Sequence, residues 1–208
     1  MSAGAVMDDA ALLASLQGRR IEAVVIGGSA GGVDALIQLL PALPAGYGLP
    51  VFCILHLPPD RESRLADLFN ERLPLPVREA ADKGAIEAGT IYFAGAGYHL
   101  SVEQDFTFSL SCEPPVHYAR PAIDVLMASS ADAYGAGLVG ILLTGANHDG
   151  ADGMAQIHAR GGFTVVQDPT DAQVGVMPSE AIRRCNPHLV LPLARIVALL
   201  PMLENYKS

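Results

Sequence analysis

Positive charge and cysteine are both scarce in this chain, and each shortage closes off a class of function. Thirteen Lys and Arg stand against 22 Asp and Glu, a formal charge of −9, and no Lys/Arg cluster offsets it. That balance argues against nucleic acid as the main partner. The three cysteines, Cys53, Cys112 and Cys185, are odd in number and far apart. They form neither a disulfide framework nor a zinc motif, and read as the reduced thiols of a cytoplasmic protein, with Cys53 buried in a strand. No apolar run is long enough to enter and span a membrane. Residues 1–17 contain Asp8 and Asp9 and no basic start, so they do not read as a secretory signal. There is no internal repeat and no low-complexity linker. What the chain does have is apolar residues: 50% of its 208 positions, enough for one sizeable core in one domain.

The stretch that organises the chain is Ile21-Glu22-Ala23-Val24-Val25-Ile26-Gly27-Gly28-Ser29-Ala30-Gly31-Gly32. It begins as a β-branched apolar run, the pattern of a buried parallel strand. It ends in glycines around one serine, and Val33, Leu36, Ile37 and Leu40 then recur at helical spacing. Ser29 therefore sits on a tight strand-to-helix turn. A dinucleotide fingerprint fails there because its second glycine position is Ser29, and a P-loop fails because Val33 stands where lysine is needed. Gly27-Gly28-Ser29-Ala30-Gly31 does fit the nucleophile elbow Gly-x-Ser-x-Gly. A glycine-rich turn with a bystander serine fits the stretch as well.

Residues 1–20 read as a short helix or a tail, and residues 21–208 as the domain proper. A second buried strand, Val51-Phe52-Cys53-Ile54-Leu55, runs straight into His56, and Asp60 is placed to cap a helix carrying Leu65, Leu68 and Phe69. Residues 77–110 hold short β-rich runs broken by turn residues, which predicts an antiparallel meander. Pro121 suits the first turn of a helix reaching about Tyr134. The strand–helix rhythm then resumes with Leu138-Val139-Gly140-Ile141-Leu142-Leu143, a helix over 151–160 closed by Gly161-Gly162, a strand over 163–167, a short helix over 178–184, a last strand at 188–191 and a final amphipathic helix. The expected fold is α/β: a doubly wound, mostly parallel sheet flanked by helices, with the meander inserted beside it.

Open parallel sheets bind ligands beyond the carboxyl ends of their strands. Strand one delivers Ser29 there, strand two delivers His56, and the strand after the meander delivers His148 and Asp149. A serine needs a histidine to take its proton, and the histidine needs a carboxylate to fix its tautomer. The order Ser, His, Asp differs from the Ser, Asp, His of α/β-hydrolases. Each residue has a plainer reading. His56 suits a backbone-bonded strand end, Asp149 suits a helix cap, and His148 is a rival base whose neighbour in sequence turns it elsewhere. His56, His148, Asp149 and Asp152 are a conceivable ligand set for a metal, but no standard metal motif accompanies them.

These residues, taken with others in order, resemble the catalytic domain of the CheB protein-glutamate methylesterases. The matching pieces are Ile26-Gly27-Gly28-Ser29-Ala30-Gly31-Gly32, His56-Leu57-Pro58-Pro59, Ile91-Tyr92-Phe93-Ala94, Pro114-Pro115-Val116, Arg120-Pro121-Ala122-Ile123-Asp124-Val125-Leu126, Leu142-Leu143-Thr144-Gly145, Asp149-Gly150-Ala151-Asp152-Gly153-Met154 and Met177-Pro178-Ser179-Glu180-Ala181-Ile182. The resemblance implies Ser29 as nucleophile, His56 as general base and acid, and Asp149 as orienting carboxylate. It implies hydrolysis of glutamyl methyl esters on the cytoplasmic helices of methylated chemoreceptors, with deamidation of receptor glutamines, and neither cofactor nor metal. The amide of Ala30 is a natural oxyanion donor, and the backbone of Ala146 lies near the site in the family.

The chain departs from the family at Ala146-Asn147-His148, where a methionine and a glycine usually follow the Thr-Gly pair. The residues before strand one are also too few for the receiver domain that typical members carry. The expectation is a stand-alone catalytic domain, constitutively active or controlled by a separate regulatory protein in trans. Arg64 and Arg120, with Arg61, are candidates to dock an acidic receptor face, since arginine pairs well with carboxylates. Arg61 and Arg64 read equally as ordinary exposed helix residues. Two other functions stay open on the residues: a binding module for signalling partners without turnover, and a hydrolase of other small esters.

Overall fold

The computed structural model describes residues 8–56 and 64–207. In chain order the elements are α1 (Asp9–Ser15), β1 (Ala23–Gly28), α2 (Gly32–Leu39), β2 (Val51–Leu55), α3 (Leu65–Asn70), β3 (Val77–Glu79), β4 (Ile91–Phe93), β5 (His99–Val102), β6 (Phe108–Ser111), α4 (Ile123–Tyr134), β7 (Leu138–Leu142), α5 (Ala151–Ala159), β8 (Phe163–Gln167), α6 (Val176–Cys185), β9 (Leu189–Leu191) and α7 (Leu193–Met202). Seven strands form one parallel sheet in the order β3-β4-β2-β1-β7-β8-β9, and β5 and β6 make a separate antiparallel pair.

The unbroken apolar runs of β1 and β2 reflect burial on both faces. Side chains alternate across the sheet, so Val24, Ile26, Val51, Cys53 and Leu55 join one core layer with the inner faces of α2 and α7. Ala23, Val25, Phe52 and Ile54 join the other, under α4 and α5. Leu12 and Leu16, from α1 and its C-cap, are buried in the first layer, so the amino-terminal stretch carries part of the core. Cys53 is buried, and burial pushes its thiol up, away from reactivity.

The doubly wound sheet is as the sequence predicts, but the middle of the chain differs in detail. The run at Ile91–Phe93 does not belong to a meander. It pairs in parallel with β2 on one side and with β3 on the other. Ile91 and Phe93 face one core layer and Tyr92 the other, which only a strand inside the sheet can satisfy. The antiparallel part shrinks to the β5–β6 hairpin, packed by Leu100, Val102 and Phe108 against the second layer. Asp60, the expected cap, and Arg61 lie outside the described residues. Arg64 occupies the cap position of α3, with no side-chain capping bond.

The chain runs outward from β1 through β2 to the edge strand β3, steps back in to β4 beside β2, then crosses to the other side of β1 and runs outward again through β7, β8 and β9. The order therefore reverses between β1 and β7. Loops diverge above that point, which opens a crevice at the carboxyl ends of both strands.

Candidate active site

Ser29 leaves β1 at that crevice. Its amide donates to the carbonyl of Thr144, just past β7, at 2.9 Å. Its carbonyl accepts from Gly32, in the first turn of α2, at 2.7 Å. Gly31, between them, has φ of +79°, a left-handed conformation that a side chain would strain. Gly27 serves another end: a Cβ there would lie 2.5 Å from Ile123 Cγ2, so its absence lets α4 rest directly on β1. The Thr144 hydroxyl donates to the Ala30 carbonyl at 2.8 Å and accepts from the Val174 amide at 2.9 Å. Its proton is thus committed to fixing the elbow.

His56 comes directly after β2 and reaches both partners. Its Nδ1 is 3.0 Å from Ser29 Oγ, and its Nε2 is 2.6 Å from Asp149 Oδ2. An ionised carboxylate only accepts, so Nε2 carries the ring proton and Nδ1 presents its lone pair to the serine hydroxyl. The ring is partly open to solvent, with its side chain 15% exposed.

Asp149 is fully buried. Besides His56, its Oδ2 accepts from the Ile123 amide at 2.7 Å and its Oδ1 from the Asp124 amide at 2.9 Å. Both amides belong to the first turn of α4, where the helix dipole favours negative charge. Burial works against ionisation, but the His56 ring and these two amides outweigh it and hold the carboxyl below its ordinary range.

Asp124 answers from the other helix. Its Oδ1 accepts from Gly150 at 2.9 Å and from Gly153 at 2.7 Å, the start of α5. Each helix is thus capped by the carboxylate beside the start of the other. Asp124 titrates in the opposite direction. Burial pushes its carboxyl up to about 6; the Gly153 amide opposes this, and the negative charges of Asp149 and Asp152 add to it. Its Oδ2 is buried without a hydrogen bond, 3.2 Å from His117 Nε2.

A cavity of about 330 Å³ opens over His56, lined among others by Pro115, His117, Tyr118, Arg120 and Asn147. His117 and Tyr118 form the tip of a tight turn whose flanks, Val116 and Ala119, exchange two backbone hydrogen bonds. Both tip residues have positive φ, 49° and 63°, and Tyr118 is fully exposed. Non-glycine residues in that region are sparsely tolerated and concentrate at functional sites.

The structure therefore brings Ser29, His56 and Asp149 into one hydrogen-bonded chain. His148 is turned away, its ring edge-on to His117 at 4.4 Å between centroids. Arg120 lines the cavity with its guanidinium tied to the carbonyls of Cys112 and Glu113 at 2.9 and 3.1 Å. Arg64 stands exposed at the head of α3, outside the described lining. Ala30 and Ala146 are exposed, and among the described residues nothing accepts from either amide. The conceivable metal set is not the one that assembles. Among the described residues, His117, Asp124 and Asp152 place ligand atoms within 4.8 Å of one another. Two of these groups already have neighbours: Asp124 Oδ2 faces His117, and Asp152 is bridged by Arg184. Asp124 was not singled out by sequence reasoning, and Asn147 entered it only within the departure at Ala146-Asn147-His148. The trace of Asp124 in the sequence is an acidic residue in a first helical turn; that of Asn147 is an Asx two residues before the carboxylate.

The CheB methylesterase family model matches residues 24–200. A Leptospira interrogans relative is 39% identical over 88% of this chain and 95% of its own. A Symbiobacterium thermophilum protein named protein-glutamate methylesterase/protein-glutamine glutaminase is 38% identical over 83% of this chain, which spans only 48% of that longer relative. The crystal structure of the Thermotoga maritima CheB methylesterase catalytic domain superposes with a TM-score of 0.80 at 28% identity, covering 86% of this chain and 99% of that one. With the model matching most of the chain and the switch-point site built on its elements, this chain belongs to the CheB methylesterase family.

Proposed function

We propose that this protein is a serine hydrolase that removes methyl groups from glutamyl methyl esters of chemoreceptors and also deamidates receptor glutamines. The observation that carries the reading is the continuous chain Ser29 Oγ–His56–Asp149, with 3.0 and 2.6 Å links. The names of its relatives supply the substrate class.

In the reaction, Ser29 Oγ attacks the ester carbonyl carbon as His56 Nδ1 takes its proton. Asp149 holds the ring and stabilises the imidazolium. Its position on two helix amides keeps it ionised as that charge forms. The free amide of Ala30, next to the nucleophile, donates to the carbonyl oxygen as it becomes an oxyanion, and that of Ala146, also without an acceptor among the described residues, is the second donor. One such donor is worth about 2.7–4 kcal/mol in the transition state. Thr144 takes no part there, since its proton is bound to Ala30. His56 then protonates the departing methoxide, methanol leaves, and water resolves the acyl-enzyme by the reverse sequence.

The methylated glutamyl side chain of a receptor helix enters the cavity beside His56. Arg120, on the cavity wall, is a candidate to meet an acidic receptor helix, and exposed Arg64 at the head of α3 is a second candidate. Among the described residues no helix is long and apolar enough to cross a membrane, which suits an enzyme acting in the cytoplasm on receptor helices.

Methanol release from methylated receptor membranes, with wild type against Ser29→Ala, tests the reading. Release that disappears in the variant supports it. Equal release from both removes Ser29 as the nucleophile. No release from folded wild type favours a binding module.

A further inference from the structure

Among the described residues, Asn147 stands beside His56 with its side chain oriented by the loop and a donor to spare. Its Oδ1 accepts from the Asp149 amide at 3.2 Å, a turn in which an Asx side chain closes on the backbone two residues on. That bond fixes which end of the amide points where, because a flipped amide would set donor against donor. Nδ2 is left aimed at His56 Nδ1, 3.5 Å away. This contact is poor, since Nδ1 has a single lone pair and Ser29 Oγ already holds it at 3.0 Å.

The position of that donor has a chemical consequence. His56 Nδ1 is the atom that returns the proton to the leaving group, so the leaving atom must come within hydrogen-bond reach of it. The leaving atom and Asn147 Nδ2 then become neighbours around one nitrogen. A methyl ester leaves through an oxygen with two lone pairs. One takes the proton from His56, and the other accepts from Asn147. A primary amide leaves through a nitrogen that has at most one lone pair and two hydrogens. Once that lone pair takes the proton, Asn147 Nδ2–H faces N–H.

We propose that Asn147 is a specificity-determining residue that favours the methyl ester over the primary amide by donating to the leaving oxygen. The inference rests on the esterase reading above. In both reactions the Ser29 Oγ–carbon bond forms and the carbon–leaving-atom bond breaks, and the serine proton passes through His56 to give methanol or ammonia. Asn147 moves no proton; it discriminates between the two departing groups.

The test measures kcat/KM for methanol and for ammonia release. The substrate is a receptor cytoplasmic fragment carrying either glutamyl methyl ester or glutamine at the same position. Asn147→Ala removes the donor and the turn; Asn147→Ser keeps an acceptor for the Asp149 amide but withdraws the amide donor. The ester-to-amide ratio should fall about tenfold in both variants, the scale of one hydrogen bond. Asn147→Ser should hold the amide rate nearer to wild type. Ester and amide rates that fall together, leaving the ratio within about twofold of wild type, overturn the proposal and leave Asn147 as a loop residue, while the esterase reading stands. Folded wild type that releases neither product overturns both.

Discussion

Two buried carboxylates sit at two helix starts a few ångströms apart, and they behave in opposite ways. Asp149 rests on the first turn of α4 and is held below the ordinary carboxylate range; Asp124 rests on the first turn of α5 and is pushed up to about 6. Helix position and backbone amides are common to both, so neither explains the difference. What separates them is the last partner. Asp149 receives the His56 ring N–H at 2.6 Å, whereas Asp124 Oδ2 has no hydrogen bond, with His117 Nε2 beside it at 3.2 Å, and the negative charges of Asp149 and Asp152 add to the effect of its burial. A buried carboxylate stays ionised when all its lone pairs on the protein side are met. The pair also has a division of labour. The ionised member holds the His56 ring, and the other ties down the turn that follows Asp149.

The largest expected effect breaks the comparison on the side of the base. Asp149→Asn should lower kcat/KM for methanol release by about 10³–10⁴-fold, the scale seen when a triad carboxylate becomes an amide. Stability should fall as well. The folded carboxyl is depressed, so its contribution is present above the ordinary carboxylate range and is lost as pH falls through its lowered value. The thermal penalty of Asp149→Asn should therefore be greatest at neutral pH. A variant with more than about a tenth of wild-type activity would remove Asp149 from the role of orienting group.

Asp124→Asn reverses the sign and has a smaller effect. The raised carboxyl favours its neutral form in the fold. Its stabilisation is full below about pH 4 and is lost as pH rises through about 6. Asparagine keeps an oxygen for the Gly150 and Gly153 amides and stays neutral throughout. The Tm of the variant minus that of wild type should thus become more positive from pH 4 to pH 7.5, by on the order of 5 °C. Differential scanning calorimetry across that range decides it, and a difference independent of pH would show that Asp124 is not raised.

The sequence makes one of these two carboxylates far more legible than the other. Ser29, His56 and Asp149 each come after an apolar run or its loop, and parallel strands with such runs deliver their trailing residues to one sheet edge. Asp124 trails no strand. In the sequence it is an acidic residue in a helical first turn, and only the crossing of α4 over α5 aims it at Gly150 and Gly153. The same limit hid the parallel pairing of β4. A three-residue run is equally consistent with a hairpin and with an interior strand, until burial of both its faces is known. The turn at His117-Tyr118 is illegible for a related reason, since neither residue carries the glycine or asparagine that usually marks a positive φ.

The smallest effect sharpens the comparison by acting through charge alone. Asp152 touches neither Ser29 nor His56; it lies on the first turn of α5, half-exposed and bridged to Arg184. Its negative charge is one of the influences that raise Asp124, weaker than burial and partly screened by solvent. Asp152→Asn removes that charge and keeps the shape. The pH at which wild-type stability is lost should then move down, toward the ordinary carboxylate value, by a fraction of a unit. Loss of the Arg184 bridge lowers Tm without imitating a moved inflection near pH 6. In the background of Asp124→Asn the same substitution should leave no inflection to move. If the double variant still shows one near pH 6, the titrating group is another, and the contrast between the two helix starts must be drawn from a different residue.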